Sequence, residues 1–272
     1  MTTRTVARDA EEQTDRPWFR AMARIGMAAR GVIFLIIGLL AIQVATTSGG
    51  DTTDQKGALA NVSQKPFGEA ILVALAIGLA AYSLFRIAQG VFDTDDKGDD
   101  GKGWVQRATK VASGISYGVL FVSALSILMG SGGGGSGSGS EKQTTAGVLG
   151  WPGGQAWVVL AAAVIAGVAV WNIYRGLSKK FMKRLHPPYS MRPAVETIGR
   201  VGMCARGVVF GLIAAFLAKA AIEFDPKEAV GLDGALARLA GQPYGPVLLG
   251  TVAVGLVAFA LYCFAEARYR EV

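Results

Sequence analysis

A chain of 272 residues that is 51% hydrophobic and 17% charged, with a mean hydropathy of +0.39, carries more apolar matter than a soluble domain of this size uses. Its formal charge of +7 does not point to nucleic acid, because the Lys and Arg residues lie between apolar runs and not along one face, as membrane topology signals do. One histidine and two cysteines exclude a multi-histidine or Cys/His metal site and a disulfide framework, and no paired carboxylates or base-activated nucleophile suggest an enzyme or a cofactor.

Residues 1–16 mix Thr, Asp, Glu and Arg, too polar to bury a core, and read as a disordered cytoplasmic tail. Asp15 and Pro17 suit a helix start, and Trp18 and Phe19 suit the headgroup layer, so a short interfacial helix is expected before the first span. That span covers 25–45, close to the roughly 20 residues that cross a bilayer. Starting it after Arg30 would leave it too short, so Arg30 lies within or just under the hydrocarbon edge. A polar turn at 46–65 precedes the second span, 70–85, which Arg86 lengthens by snorkelling outward. Together these make a helical hairpin, residues 17–92.

Residues 93–103 form a Gly- and Asp-rich cytoplasmic loop. Asp93, Asp95, Asp96, Asp99 and Asp100 lack the Glu that closes a calcium-binding EF-hand, so the loop reads as solvated. A second hairpin, 104–180, holds spans at 111–130 and 155–174, with a flexible Ser/Gly linker at 131–140 between them. The basic loop 181–191 contains His186, read as a loop histidine. Lys179, Lys180, Lys183 and Arg184 would attract anionic lipids there. The third hairpin, 192–272, holds spans at 201–222 and 244–265. Six spans bring both termini to one side, and 21 of the 27 Lys and Arg sort to that side. The positive-inside rule then puts both termini in the cytoplasm.

The hairpins are copies of one another. Arg24-Ile-Gly-Met-Ala-Ala-Arg30-Gly-Val-Ile-Phe34 returns as Arg200-Val-Gly-Met-Cys-Ala-Arg206-Gly-Val-Val-Phe210. Gly57-Ala58-Leu59 with Pro66-Phe67-Gly68 returns as Gly234-Ala235-Leu236 with Pro243-Tyr244-Gly245, and Gly78, Tyr82, Phe85 and Gln89 return as Gly255, Phe259, Tyr262 and Glu266. The middle copy is looser, with Gly118 answering Gly31, Trp151-Pro152-Gly153-Gly154 answering the outer-loop motif, and Tyr117 replacing the second arginine. Each unit has an even number of spans, so all copies cross in the same direction. The fold class expected is an all-α integral membrane protein, six transmembrane helices forming three parallel-repeat hairpins with pseudo-threefold symmetry. Small residues at the span starts would let helices approach closely, the Gly-Ala-Leu stretches would form amphipathic turns, and each Pro would start the return helix.

The arginine-rich opening, with the closing Tyr262-Cys-Phe-Ala-Glu-Ala-Arg268, resembles the bacterial family known as domain of unknown function 1206, common in actinobacteria. The resemblance covers about residues 16–270 and is strongest in copies one and three. It implies a six-span protein built from three two-helix units, and no activity.

A membrane-embedded arginine costs about 2.5–3.5 kcal/mol at mid-bilayer and usually has a partner. The end of each second helix returns beside the start of the first, so Gln89 is expected near Arg30 and Glu266 near Arg206, with Tyr117 uncharged in copy two. These five residues form either a clamp within each hairpin or a pore-lining anion site. The pairs Tyr82 with Phe85, Trp171 with Tyr174, and Phe259 with Tyr262 share helix faces near the interface, as belt anchors or hairpin packing. Two functions remain open: a non-catalytic scaffold or accessory subunit for another membrane protein, and a small anion channel or solute carrier around the pseudo-axis.

Overall fold

The computed structural model describes residues 17–46, 55–91, 101–130 and 137–270. The expected tail, the aspartates at 93–100 and the first part of the Ser/Gly run lie outside these. Among the described residues the fold is helical, without a strand. Six helices are long and apolar enough to cross a membrane: α1 (Pro17–Thr46), α3 (Gly68–Val91), α4 (Gly101–Leu128), α6 (Gly154–Leu177), α7 (Arg192–Ile222) and α9 (Gly245–Tyr269). Three short helices fall between the members of each pair: α2 (Gln55–Ser63), α5 (Gly137–Leu149) and α8 (Leu232–Ala240). The chain is a multi-pass membrane protein of three helical hairpins, each with a small helix in its connection.

Three expectations need correction. The interfacial segment is not separate from the first span, because nothing between Pro17 and Thr46 breaks the hydrogen-bond ladder and α1 is a single helix of 30 residues. Likewise α4 starts at Gly101, inside the expected loop. The flexible run 131–140 ends early, since α5 begins at Gly137. Gly and Ser favour helix poorly, but Thr145 and Leu149 further along α5 are buried. Leu149 packs with Val158 and Ala221, so tertiary burial overrides propensity.

The chain divides into two compact units. One comprises Met1–Arg30, Val62–Gly132 and Cys263–Val272, and the other Gly31–Asn61 and Gly133–Tyr262. In the first, α3 packs along α4, and the start of α1 lies against α3. A Cβ on Gly26 would stand 2.6 Å from that of Tyr82, and one on Gly78 would strike the Ala29 methyl. The second unit repeats this pair: Gly202 of α7 meets the backbone of Phe259 in α9, and Gly255 meets Ala205. Lipid gives apolar helix surfaces no reason to leave it, so backbone approach at small residues supplies the association.

Successive hairpins are joined by a second kind of glycine contact. In the first unit Gly114 of α4 sits on Ile87 of α3, and the Ser83 hydroxyl donates to the Gly114 carbonyl at 2.8 Å. In the second unit Gly207 of α7 sits on Ile173 of α6 in the same way, and each glycine also faces the carbonyl one turn before its isoleucine, Ser83 or Ala169. Arg107 closes the first junction by donating to the last carbonyls of α3, Gly90 and Val91, both at 2.9 Å, where the helix dipole favours a cation. In the second unit Gly176 stands as Gly90 does, facing the Arg200 carbonyl as Gly90 faces that of Arg107, and Lys179 after α6 pairs with Glu196 of α7.

The outer connections share one turn in triplicate. Phe67, Gly153 and Tyr244 have φ of 60°, 72° and 62°. Each follows a proline and precedes the first residue of a return helix. The prolines therefore lie in the turn and do not start the helix as expected; the left-handed residue does the capping. The following glycines, Gly68, Gly154 and Gly245, donate to Lys65, Trp151 and Gln242 carbonyls at 2.7–2.8 Å. A Cβ at any of the three would run into a carbonyl oxygen, of Val62, Val148 or Ala240. Phe67 and Tyr244 are 85% and 81% exposed, so two aromatic rings project where α3 and α9 begin. Before these turns, Ala58, Leu59, Ala235 and Leu236 are fully buried, and the expected Gly-Ala-Leu turns are helices α2 and α8.

In the third connection Glu228 receives Arg238 at 2.6 Å and Lys219 at 3.2 Å, tying α8 to the end of α7. The hydrogen bond from Arg238, then that from Lys219, holds the Glu228 carboxyl below its usual range.

Two outcomes are expected. Gly68→Ala, Gly154→Ala and Gly245→Ala should each destabilise by about 2 kcal/mol or more, because backbone must move, whereas Phe67→Gly should change stability by less than about 1 kcal/mol, since glycine removes left-handed strain but adds chain entropy; denaturation in detergent reads both. The Glu228 tie, present above the ordinary carboxylate range, should loosen as pH falls through its depressed folded value; a drop in amide protection of α8, relative to intrinsic exchange at each pH, that is absent from Glu228→Gln would show it.

Candidate functional site

Four of the five polar residues singled out in the sequence come together in the first unit. Arg30 is 6% exposed, and its Nη1 donates to the Tyr82 hydroxyl at 2.8 Å. Arg86, one turn beyond Tyr82 on α3, donates from Nε to the same oxygen at 3.0 Å and from Nη1 to Gln89 at 3.4 Å. Tyr117 of α4 packs edge-on against the Tyr82 ring, centroids 4.5 Å apart. Glu266 is within electrostatic range of both Arg30 and Tyr82, and accepts from Arg270 at 2.5 Å. Gln89 and Glu266 are themselves buried. The cluster gathers three guanidinium groups around one carboxylate and one phenol.

The expected pairings are altered by this geometry. Arg30 reaches Tyr82, seven residues or two turns before Gln89, because a guanidinium on a four-bond stem spans to the nearest hydroxyl on the facing helix. Gln89 serves Arg86. Glu266, matched in the sequence reading with Arg206, lies in the unit of Arg30. Tyr82 was read only for its ring; its spacing of four from Arg86, which puts both on one helix face, was the available signal for its second role. Arg270, four residues after Glu266, carried the same signal.

Arg206 has different surroundings in the second unit. Its guanidinium carbon lies 4.9 Å from the ring centroid of Phe259, 5.0 Å from Phe210 and 5.5 Å from Phe34. Phe34 in turn meets Phe259 edge-on at 4.9 Å. Phe259 stands where copy one has Tyr82, so the aromatic residue facing this arginine offers a ring and no hydroxyl. Such contacts are worth about 2 kcal/mol when desolvated.

The aromatic pairs divide. Tyr82, Phe85, Phe259 and Tyr262 are buried and serve packing, not a belt: Tyr262 meets Phe181 edge-on at 5.3 Å, and the Tyr82–Phe85 and Phe259–Tyr262 centroids are 6.4 and 6.1 Å apart. Trp171 and Tyr174, in contrast, are 54% and 44% exposed, as interfacial residues are. Lys180 donates to the Tyr174 hydroxyl at 2.6 Å. Within the basic run, Lys179 pairs with Glu196, while Lys183 and His186 are exposed. Among the described residues, no group of three His, Cys, Asp or Glu is placed to hold a metal.

With this geometry in view, comparison with known proteins is informative. No solved structure matches the chain. The Bacillus subtilis (strain 168) "Uncharacterized protein YxxB" is 31% identical over 263 residues, covering 96% of this chain and 94% of that protein. The family model described as Domain of Unknown Function (DUF1206) matches three times, at residues 25–93, 109–179 and 201–270, one match to each helical hairpin. Three copies of one unit over most of its length make this chain a member of the DUF1206 family.

Proposed function

We propose that the protein is a non-catalytic helical bundle of the bacterial cytoplasmic membrane, both termini cytoplasmic, that scaffolds or assists another membrane protein. The observation that carries this reading is the Tyr82 hydroxyl, which accepts from two arginines of neighbouring helices. Cations inside the spans are thereby used to fasten helices together. Arg107 is used in the same way on the end of α3. The lipid-facing part of the reading rests on the middle copy: α4 and α6 bury the smallest share of their apolar windows, 22% and 17%, and so offer the most surface to bilayer or partner. Anionic lipids would gather at the exposed Lys183 of the basic loop.

A channel or carrier around a pseudo-threefold axis is the competing reading, and it requires span arginines that interact with a passing solute. Reconstituted protein should pass no more chloride, potassium or protons than empty liposomes; a flux that Arg30→Ala with Arg206→Ala abolishes in folded protein would establish the channel. Tyr82→Phe should lower stability by about 2–3 kcal/mol, the loss of hydrogen bonds to charged donors, read as an earlier unfolding midpoint in detergent. An unchanged midpoint would remove the clamp.

A further inference from the structure

The junction between α6 and α7 in the second unit holds its cations in two ways. After α6 ends at Leu177, Lys179 takes the left-handed conformation, φ 54°, and leads into a 3-10 turn, Lys180–Arg184. Phe181 and Leu185 pin this turn: both are buried, and the Phe181 ring lies on Gly199 of α7 and edge-on to Tyr262 of α9 at 5.3 Å. Lys180 and Lys183, by contrast, are exposed. Residues three apart eclipse in a 3-10 turn, so both ammonium groups leave one side of it, about 6 Å apart along its axis. Lys179 is neutralised by Glu196. Lys180 is not: its Nζ donates to the Tyr174 hydroxyl at 2.6 Å and lies 4.6 Å from the ring centroid, and a phenol is an uncharged acceptor. Among the described residues, neither Lys180 nor Lys183 meets a carboxylate. Arg175 adds a third cation in the last turn of α6. Val170, Trp171, Tyr174 and Leu177 are exposed and share one face of that helix end, so an apolar stripe leads to Lys180.

We propose that this turn binds one phospholipid of net negative charge, its phosphate between Lys180 and Lys183 and its acyl chains along Val170, Trp171 and Leu177. Charge selects the headgroup. A zwitterionic lipid brings its own ammonium to a place that already holds two, whereas phosphatidylglycerol brings a phosphate and hydroxyls alone. The apolar stripe selects lipid over free phosphate, because exposed ion pairs contribute little by themselves, and a lipid presents its phosphate at high local concentration where the span leaves the hydrocarbon. The site rests on the proposed gathering of anionic lipid at this loop and gives it a place and a stoichiometry. The accessory role does not enter: solute flux would overturn that role and leave this site standing.

The test uses full-length protein in an uncharged detergent, freed of lipid and titrated with phosphatidylglycerol, phosphatidylethanolamine and glycerol phosphate, with adducts counted by native mass spectrometry. One saturable phosphatidylglycerol per chain is expected, bound at least tenfold more tightly than phosphatidylethanolamine or glycerol phosphate. Lys180→Gln with Lys183→Gln should weaken it at least tenfold. Lys180→Arg with Lys183→Arg, which keeps both charges, should weaken it less than threefold, and Lys65→Gln, at an exposed lysine of the first outer connection, should leave it unchanged. Equal binding of phosphatidylethanolamine would overturn both the site and the gathering of anionic lipid. A preference for phosphatidylglycerol that survives the double glutamine variant would overturn the site alone. Glycerol phosphate bound as tightly as phosphatidylglycerol would overturn the lipid assignment.

Discussion

The structure depends on how closely a helix that starts a hairpin can approach the helix that ends it. In water an apolar face is driven against its neighbour, but in hydrocarbon that drive is absent and helices associate where backbones can touch. Gly26 on Tyr82 and Gly202 on Phe259 are such touches. They also fix the chemistry one turn along. Arg30 and Arg206 follow their glycines by four residues, so each is delivered onto the aromatic residue against which its glycine rests. The phenol at that position accepts hydrogen bonds; the phenyl offers a face. Two local environments thus arise from one backbone arrangement, and the two facing aromatic residues differ by a single oxygen atom.

Much of this was legible in the residues. Hydropathy and length gave six spans, and the recurrence of whole motifs gave three hairpins, because a duplicated unit keeps its turn and contact residues longest. The convergence of Arg30, Gln89, Tyr117 and Glu266 was also foreseeable in part: hairpin geometry returns the end of each second helix to the start of the first. What sequence did not disclose was which partner each arginine takes. That depends on side-chain reach and on rotation of the facing helix, and a two-turn difference separates Gln89 from Tyr82. Burial of the aromatic pairs was similarly hidden. Tyr82–Phe85 and Trp171–Tyr174 have the same spacing, yet the first pair is enclosed and the second faces outward.

Helix boundaries were missed for another reason. Capping signals read from composition placed a break inside α1, a loop over the first residues of α4 and a linker across the start of α5. In α1 nothing interrupts a run of good formers, Arg20 to Arg24, whereas α5 starts on weak formers and is held by contacts further along the element. The prolines of the outer connections were assigned to helix starts on the same reasoning, although the residue after each adopts the left-handed conformation and the glycine after that begins the helix. Three independent instances of this geometry, two of them on bulky aromatics at a cost of about 1–2 kcal/mol each, imply that the turn is retained for where it puts the return helix.

The junction between hairpins carries a lesson about divergence. Gly114 meets Ile87 in one place and Gly207 meets Ile173 in the matching place, and Gly90 and Gly176 recur likewise on the opposite helix. A position pressed against a neighbouring backbone admits no side chain, so selection there is all or nothing, whereas the positions beside it tolerate whatever bulk lipid or a flexible neighbour absorbs. Duplicated segments can then drift apart letter by letter while their points of closest approach stay fixed, and ancestry persists more faithfully in the spaces left empty than in the side chains around them.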